Sequence, residues 1–309
     1  MEPREPYSEW PEFPPATWRD TYSTLHMWMQ IVGKTRLALA PMENHWWQVA
    51  LYVTSRGLTT SPMPYGNFTV TVEFDFISHQ LAVQTSRGSQ DSFALSSMTV
   101  AEFFARYMRS LRALTIEPKI IPSPVEVEIA VPFTQDHEHA FYDPVAARRC
   151  WQIFADTHRV MKRFRGGFTG KQSPVHIFWG SFDLASTRFS GRRAPAHPGG
   201  VPNCPDRVMV EAYSHECASC GFWPGDGLSR PAAFYAYAYP EPPGYPGWAI
   251  EPSAAHYDLQ AREFLLPYDK MRAAAAPGEM LLRFVQSAYE AAAELGNWER
   301  ASLERPIAD

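Results

Sequence analysis

The sequence predicts an α+β fold: antiparallel sheets with helices packed on them. Three observations lead there. Residues 68–79 alternate cleanly, with Phe68, Val70, Val72, Phe74 and Phe76 on one side and Thr69, Thr71, Glu73 and Asp75 on the other, the period of a half-buried strand. Stretches with helical spacing open the chain, recur twice in its first half, and close it. Between them the strands come in consecutive runs rather than one per helix, which favours antiparallel pairing over βαβ units.

Taken in order, residues 1–16 are rich in Pro and Trp and read as an extended arm. Thr17 is placed to cap a first helix whose face is Trp18, Tyr22, Leu25, Met29 and Val32, with Gly33 as its stop. Residues 44–55 read as a strand and 68–79 as the next. Short strands at 81–85 and 92–95 flank a turn at Gly88. Thr99 and Glu102 have the spacing of a capping box, ahead of a stripe made by Phe103, Tyr107 and Leu111. Residues 125–131 read as a strand. Asp143-Pro144 is a helix start, with Trp151, Phe154, His158 and Met161 on one face. Residues 173–191, aromatic and β-branched, read as one long central strand. Its faces are His176, Phe178, Phe182, Leu184 and Arg188 against Ile177, Trp179, Asp183 and Thr187. Strands at 208–216 and 234–239 follow, with a turn at 221–225 between them. Residues 240–276 carry no clear pattern, and residues 280–295 form the last helix.

A faint internal repeat is visible. Asn44-His45-Trp46-Trp47 with Thr54 and Arg56 resembles Val175-His176-Ile177-Phe178-Trp179 with Thr187 and Arg188, and Asp75–His79 resembles Glu211–His215. The matches run in order with slowly growing offsets, as an old duplication leaves them. The expectation is an arm (1–16), a first α+β half (17–122) and a second half (123–309) that carries the candidate site, with a cleft between the halves.

Composition excludes several classes. With 28 Lys+Arg against 33 Asp+Glu there is no global basic field to attract nucleic acid or an anionic membrane. The first residues lack a signal peptide's apolar core, and no apolar run reaches about 18 residues, so no membrane span is expected. Four cysteines in 309 residues are too few for a disulfide framework and fit thiols in a reducing cytoplasm. Cys217 and Cys220 form one Cys-x-x-Cys next to His215 and Glu216. Without a second ligand pair they read as ordinary thiols, so no metal is expected, and no motif names a cofactor.

The polar candidates gather in two stretches. His176, Asp183 and Arg188 lie in the first with Trp179. Glu211, His215 and Glu216 lie in the second with Trp223 just beyond. Four residues along a strand span roughly 13 Å at about 3.3 Å each, so Glu211 and His215 need partners on neighbouring strands. On this reading His176 and His215 transfer protons and Asp183 and Glu211 orient them. Arg188 holds an anionic group, while Trp179, Trp223 and Glu216 complete a small-molecule pocket. The competing reading is a binding or interaction module in which the same groups form an internal polar network. Ser214-His215-Glu216 is not a triad, because neighbours on a strand point apart. The 166–171 Gly-rich run lacks the spacing of a phosphate loop.

The segments 25–34, Asn44–Trp47, Arg56–Ser61, 173–191, Glu211–Glu216 and Gly221–Pro224 together resemble an uncharacterised bacterial family, the domain of unknown function numbered five-nine-nine-six. The resemblance spans nearly the whole chain. It implies a bacterial, cytoplasmic protein and supplies no activity, cofactor or catalytic residue. Cys217 and Cys220 stand outside its pattern.

Overall fold

The computed structural model describes residues 9–226 and 230–306. Helix α1 (Pro15–Leu39) starts with Pro15 at its first turn, where a missing N–H costs nothing. Pro14, not Thr17, is its cap; the Thr17 hydroxyl donates back to the Pro14 carbonyl. From Thr24 to Arg36 every residue is buried, so the helix is a core helix rather than a one-faced one. It does not stop at Gly33. A Cβ there would enter the Trp179 ring, so the glycine serves close packing. Ahead of the helix, Trp10 and Phe13 are buried, and residues 1–8 of the expected arm lie outside the described residues.

The first sheet contains β1 (Tyr52–Val53), β2 (Gly57–Thr59), β3 (Met63–Tyr65), β4 (Phe68–Asp75), β5 (Gln80–Thr85) and β6 (Gln90–Ala94). Its order is β1-β2-β4-β5-β6, with β3 also paired to β4. Along β4 the predicted alternation holds, with Val70, Val72 and Phe74 buried. Of the strand expected over 44–55 only β1 forms; Asn44–Val49 is a 3₁₀ turn, because His45 and Trp46 adopt left-handed backbone at φ 57° and 61°. Helix α2 (Val100–Ala113) has the predicted capping box, and α3 (Pro144–Gly166) is capped by Asp143, which accepts from the Val145 and Ala146 amides. Trp28 of α1 stacks on Phe103 of α2, ring centroids 4.7 Å apart.

The second sheet has the order β11-β12-β10-β9-β8-β7. Its strands are β7 (His176–Phe178), β8 (Asp183–Arg193), β9 (His215–Trp223), β10 (Ala233–Tyr239), β11 (His256–Asp258) and β12 (Glu263–Pro267). All pairings in both sheets are antiparallel. The expected long strand is therefore a hairpin. The chain reverses through Gly180 and Ser181, with Phe182 left-handed at φ 61° and its amide bonded to the Phe178 carbonyl. The reversal changes the faces. His176 pairs with Ala185 and Phe178 with Asp183, so both share Asp183's face rather than that of Leu184 and Arg188. The hairpin is also not central, since β7 ends the sheet. A single bridge, Leu51 to Ile177, ties that edge to the start of β1.

Three further expectations give way. Residues 208–212 belong to helix α4 (Asp206–Ala212), because a two-valine alternation is too short to decide period and Pro205 with Asp206 favours a helix start. Strand β9 runs through Gly221 to Trp223 where a turn was expected. Residues 125–131 are irregular. The Gln30 amide of α1 both donates to and accepts from the Val125 backbone, at 2.8 Å each, in place of a strand neighbour. The unpatterned 240–276 region contains β11, β12 and α5 (Tyr268–Arg272). Helix α6 (Pro277–Leu295) and the short α7 (Arg300–Leu303) close the chain. The segments matched as a repeat occupy unlike elements, a 3₁₀ turn against β7 and the end of β4 against α4, and a duplication is not confirmed. The α+β class with two antiparallel sheets is what the structure has. Among the described residues no helix is long and apolar enough to cross a membrane.

Candidate functional site

The second sheet has two unlike faces. Phe234, Ala236, Leu184, Arg188, Cys220 and Phe222 lie on one, toward α3 and α6. The other carries Asp183, Trp223, Tyr235, Tyr237 and Glu263, which line a cavity of about 540 Å³. Its remaining walls include Tyr22 and His26 of α1, Glu126, Tyr213 at the end of α4, and Arg230. Two glycines shape it. A Cβ on Gly180 would strike the Glu126 carboxylate, and one on Gly221 would strike the Tyr235 hydroxyl. The missing side chains let Glu126 lie against the hairpin turn and Tyr235 reach across β9 to Asp183.

Asp183 is buried and accepts from the Ser181 and Tyr235 hydroxyls. Burial raises its pKa against the opposing pull of those bonds. Burial pushes Glu126 up to about 7, helped by the negative charge of Asp183. Glu263 is likewise raised to about 7 by burial, then by Asp183 and Asp258, with Arg230 opposing. Neither Glu126 nor Glu263 has an ion pair or side-chain hydrogen bond among the described residues. His26 is held down at about 4 by burial, and its Nε2 lies 2.8 Å from the Gly180 carbonyl and 3.1 Å from that of Trp179. Bonded to two carbonyls, that nitrogen carries the proton of a neutral ring. The Tyr213 and Tyr237 hydroxyls pair at 2.7 Å. The Arg230 guanidinium lies 4.9 Å from the Trp223 ring centroid.

Of the eight residues singled out in the sequence, the structure brings only Asp183 and Trp223 into this cavity. Trp179 is buried behind it, its indole donating to the Val49 carbonyl at 2.8 Å. Arg188, on the opposite face, is 1% exposed and donates to the Phe164 carbonyl. Its guanidinium lies 3.4 Å from the Phe164 centroid, 4.3 Å from Tyr289 and 5.0 Å from Phe168. Burial lowers it to about 10. His176 is fully buried among Trp47, Tyr52 and Phe178, and burial lowers it to about 3, with Arg165 and Arg36 adding to the shift.

Glu211 and His215 meet elsewhere, with two residues, His45 and Lys171, that sequence pattern does not mark as site candidates. The His45 amide donates to Glu211 at 3.1 Å, and its Nδ1 donates to the Ala212 carbonyl at 2.9 Å. That leaves Nε2 to accept from the Lys171 ammonium at 2.6 Å. The His215 ring lies 5.6 Å from that of His45. Burial is the first cause lowering His45, His215 and Lys171; Lys171 also lowers both imidazoles. Glu216 sits apart, accepting from Ser190 at 2.8 Å and from Arg192 at 2.8 Å. Cys217 and Cys220 are buried on opposite faces of β9 and are pushed up to about 12, so they form no chelating turn. Among the described residues no group of three His, Cys, Asp or Glu is placed to hold a metal ion.

The residues that build the cavity leave uneven traces in the sequence. Tyrosine at 235, 237 and 239 is a period-2 signal for one polar-tipped face. Glu126 gives a misleading trace, since 125–131 reads as a strand and is irregular, and Glu263 gives none, because it sits in a stretch without clear pattern. A family model described as a family of unknown function, DUF5996, matches residues 10–305. The chain belongs to that family. The match takes in every wall of the cavity and all of the His45 cluster. Searches of curated proteins and of solved structures returned no match.

Proposed function

We propose that this family member binds a small organic molecule in the cavity over the tyrosine face of the second sheet, and that the carboxyl groups there, rather than imidazoles, exchange protons with it. One observation carries the reading. Glu126 and Glu263, both raised to about 7, share with Asp183 a single aromatic-walled cavity of about 540 Å³. That volume lies in the range of small-molecule sites, and a group titrating near neutrality is available as acid or base at working pH. The carboxyls of Glu126 and Glu263 would be the proton-transfer pair. Asp183, held by Tyr235 and Ser181, would fix the ligand's orientation, and Trp223 would supply a stacking surface. His215, Glu211, Arg188, His176, Trp179 and Glu216 have no part in this site.

The test is a fragment screen by saturation-transfer NMR on the wild-type chain and on Ala233→Trp, which plants an indole in the cavity. Fragments bound by the wild type are expected to be lost in the variant while its melting temperature stays within a few degrees. Val127→Trp is the second variant if Ala233→Trp fails to fold. Fragment binding that survives both substitutions sinks the reading.

A further inference from the structure

We propose that the cavity is selective for an organic cation, a ligand whose ammonium or guanidinium group settles among Glu126, Asp183 and Glu263 while its body lies against Trp223 and the tyrosines. This rests on the proposed site and adds the class of ligand.

The charge inventory of the walls is the first support. Three carboxyl groups line the cavity against one cation, Arg230, and the His26 ring is neutral. Arg230 is only a peripheral counter-ion, whose pull on Glu263 is outweighed by burial and by the neighbouring acids. Its side chain is 74% exposed, and it lies over Trp223 and 3.8 Å from Asp226 at the rim. The second support is that Glu126 and Glu263 have no donor of their own among the described residues. A partly dry wall that holds three acids with so few donors is electrostatically frustrated, and a bound cation relieves it. A neutral polyol stacks on the rings without relieving it, and an anion makes it worse. The aromatic faces are the third support, since indole and phenol rings attract cations electrostatically. Arg230 on Trp223 shows one guanidinium already held in that way.

A pH dependence follows from the groups facing the cavity. These are Tyr22 and His26 from α1, Glu126 from the irregular segment, Asp183 from β8, Tyr213 from α4, and Tyr235 and Tyr237 from β10. Glu263 from β12 and Arg230 complete them, with Asp258 and Asp226 acting from outside the lining. The tyrosines stay protonated and His26 stays neutral near neutrality, while burial raises all three carboxyls; Glu126 and Glu263, at about 7, gain charge between pH 5.5 and pH 7.5, from about 1.5 units below to about 0.5 unit above that value. Cation binding therefore releases protons and weakens as pH falls.

Isothermal titration at pH 7.5 with putrescine and agmatine as probes tests this, with 1,4-butanediol, glucose and succinate as comparisons. The two amines are expected to bind and succinate not to. Glu126→Gln and Glu263→Gln, each nearly isosteric, are expected to weaken amine binding about tenfold or more, as is a shift to pH 5.5. Arg230→Met is expected to leave amine binding equal or tighter. Butanediol or glucose binding as tightly as putrescine would overturn the charge requirement while leaving the cavity as a site. So would amines giving no heat while NMR fragments still occupy it. Amine binding indifferent to both glutamine variants and to Ala233→Trp would place the cation elsewhere and end the proposal.

Discussion

Asp183 and Arg188 sit on one strand, both buried, on its two opposite faces. Burial pushes the carboxyl up and the guanidinium down, in each case toward the neutral form. Their surroundings differ. Arg188 is plugged into three aromatic rings and a backbone carbonyl, leaving no room for anything else. Asp183 looks into an open cavity shared with two more acids. Burial of a charge therefore does not by itself mark a site. What separates the two faces is whether the space in front of the charge is already filled.

Breaking the filled face should have the largest effect. Arg188→Ala removes a stem and headgroup packed against Phe164 and Tyr289, and a loss of roughly 2–5 kcal/mol is expected from urea melts. Arg188→Met, which refills the cage with apolar volume, should recover a good part of it. A near-neutral alanine variant would mean the cage does not depend on its cation.

The open face should respond to pH instead. Glu126 and Glu263 are raised from 4.5 to about 7, so the folded state holds more protons across that window and these groups lower stability as pH rises through it. His26 is lowered from 6.5 to about 4, so the unfolded state holds more protons there and its contribution raises stability with pH. The two trends oppose each other in the wild type. In the Glu126→Gln, Glu263→Gln double variant the opposing trend of those two carboxyls is gone, and melting temperature should climb more steeply from pH 5 to pH 7, a window set by those shifts. Parallel profiles for the two proteins would show that these carboxyls ionise normally in the fold.

The smallest effects belong to the His45 cluster, where Lys171 is exposed and His215 only half-buried. Lys171→Met and His215→Ala should each change stability by less than about 1 kcal/mol in thermal melts, because exposed polar contacts exchange readily with water. A much larger loss would show that the left-handed turn at His45 and Trp46 depends on the lysine contact.

Elements with a strong local signal are legible in the amino-acid order alone. The alternation of β4, the Thr99–Glu102 box and the Asp143-Pro144 start each produce the element they announce. Pattern misleads where it is short or interrupted. Gly180-Ser181 reverses the chain within what looks like one strand, and that reversal puts His176 on the other face. Val208 and Val210 mimic a strand inside α4. The family resemblance rests on long motifs, and the family match extends over residues 10–305.

Composition, period and caps thus determined the α+β class and most helices by themselves, since those signals act between residues a few positions apart. Which polar groups share a hollow was decided only in three dimensions. Glu126, Asp183 and Glu263 come from an irregular loop, a hairpin and an unpatterned strand. Gln30 holds the loop, and the missing side chains of Gly180 and Gly221 let the groups close in. The carboxyls titrate near neutrality because the folded chain takes them out of water together, and no stretch of sequence read alone contains that dehydration.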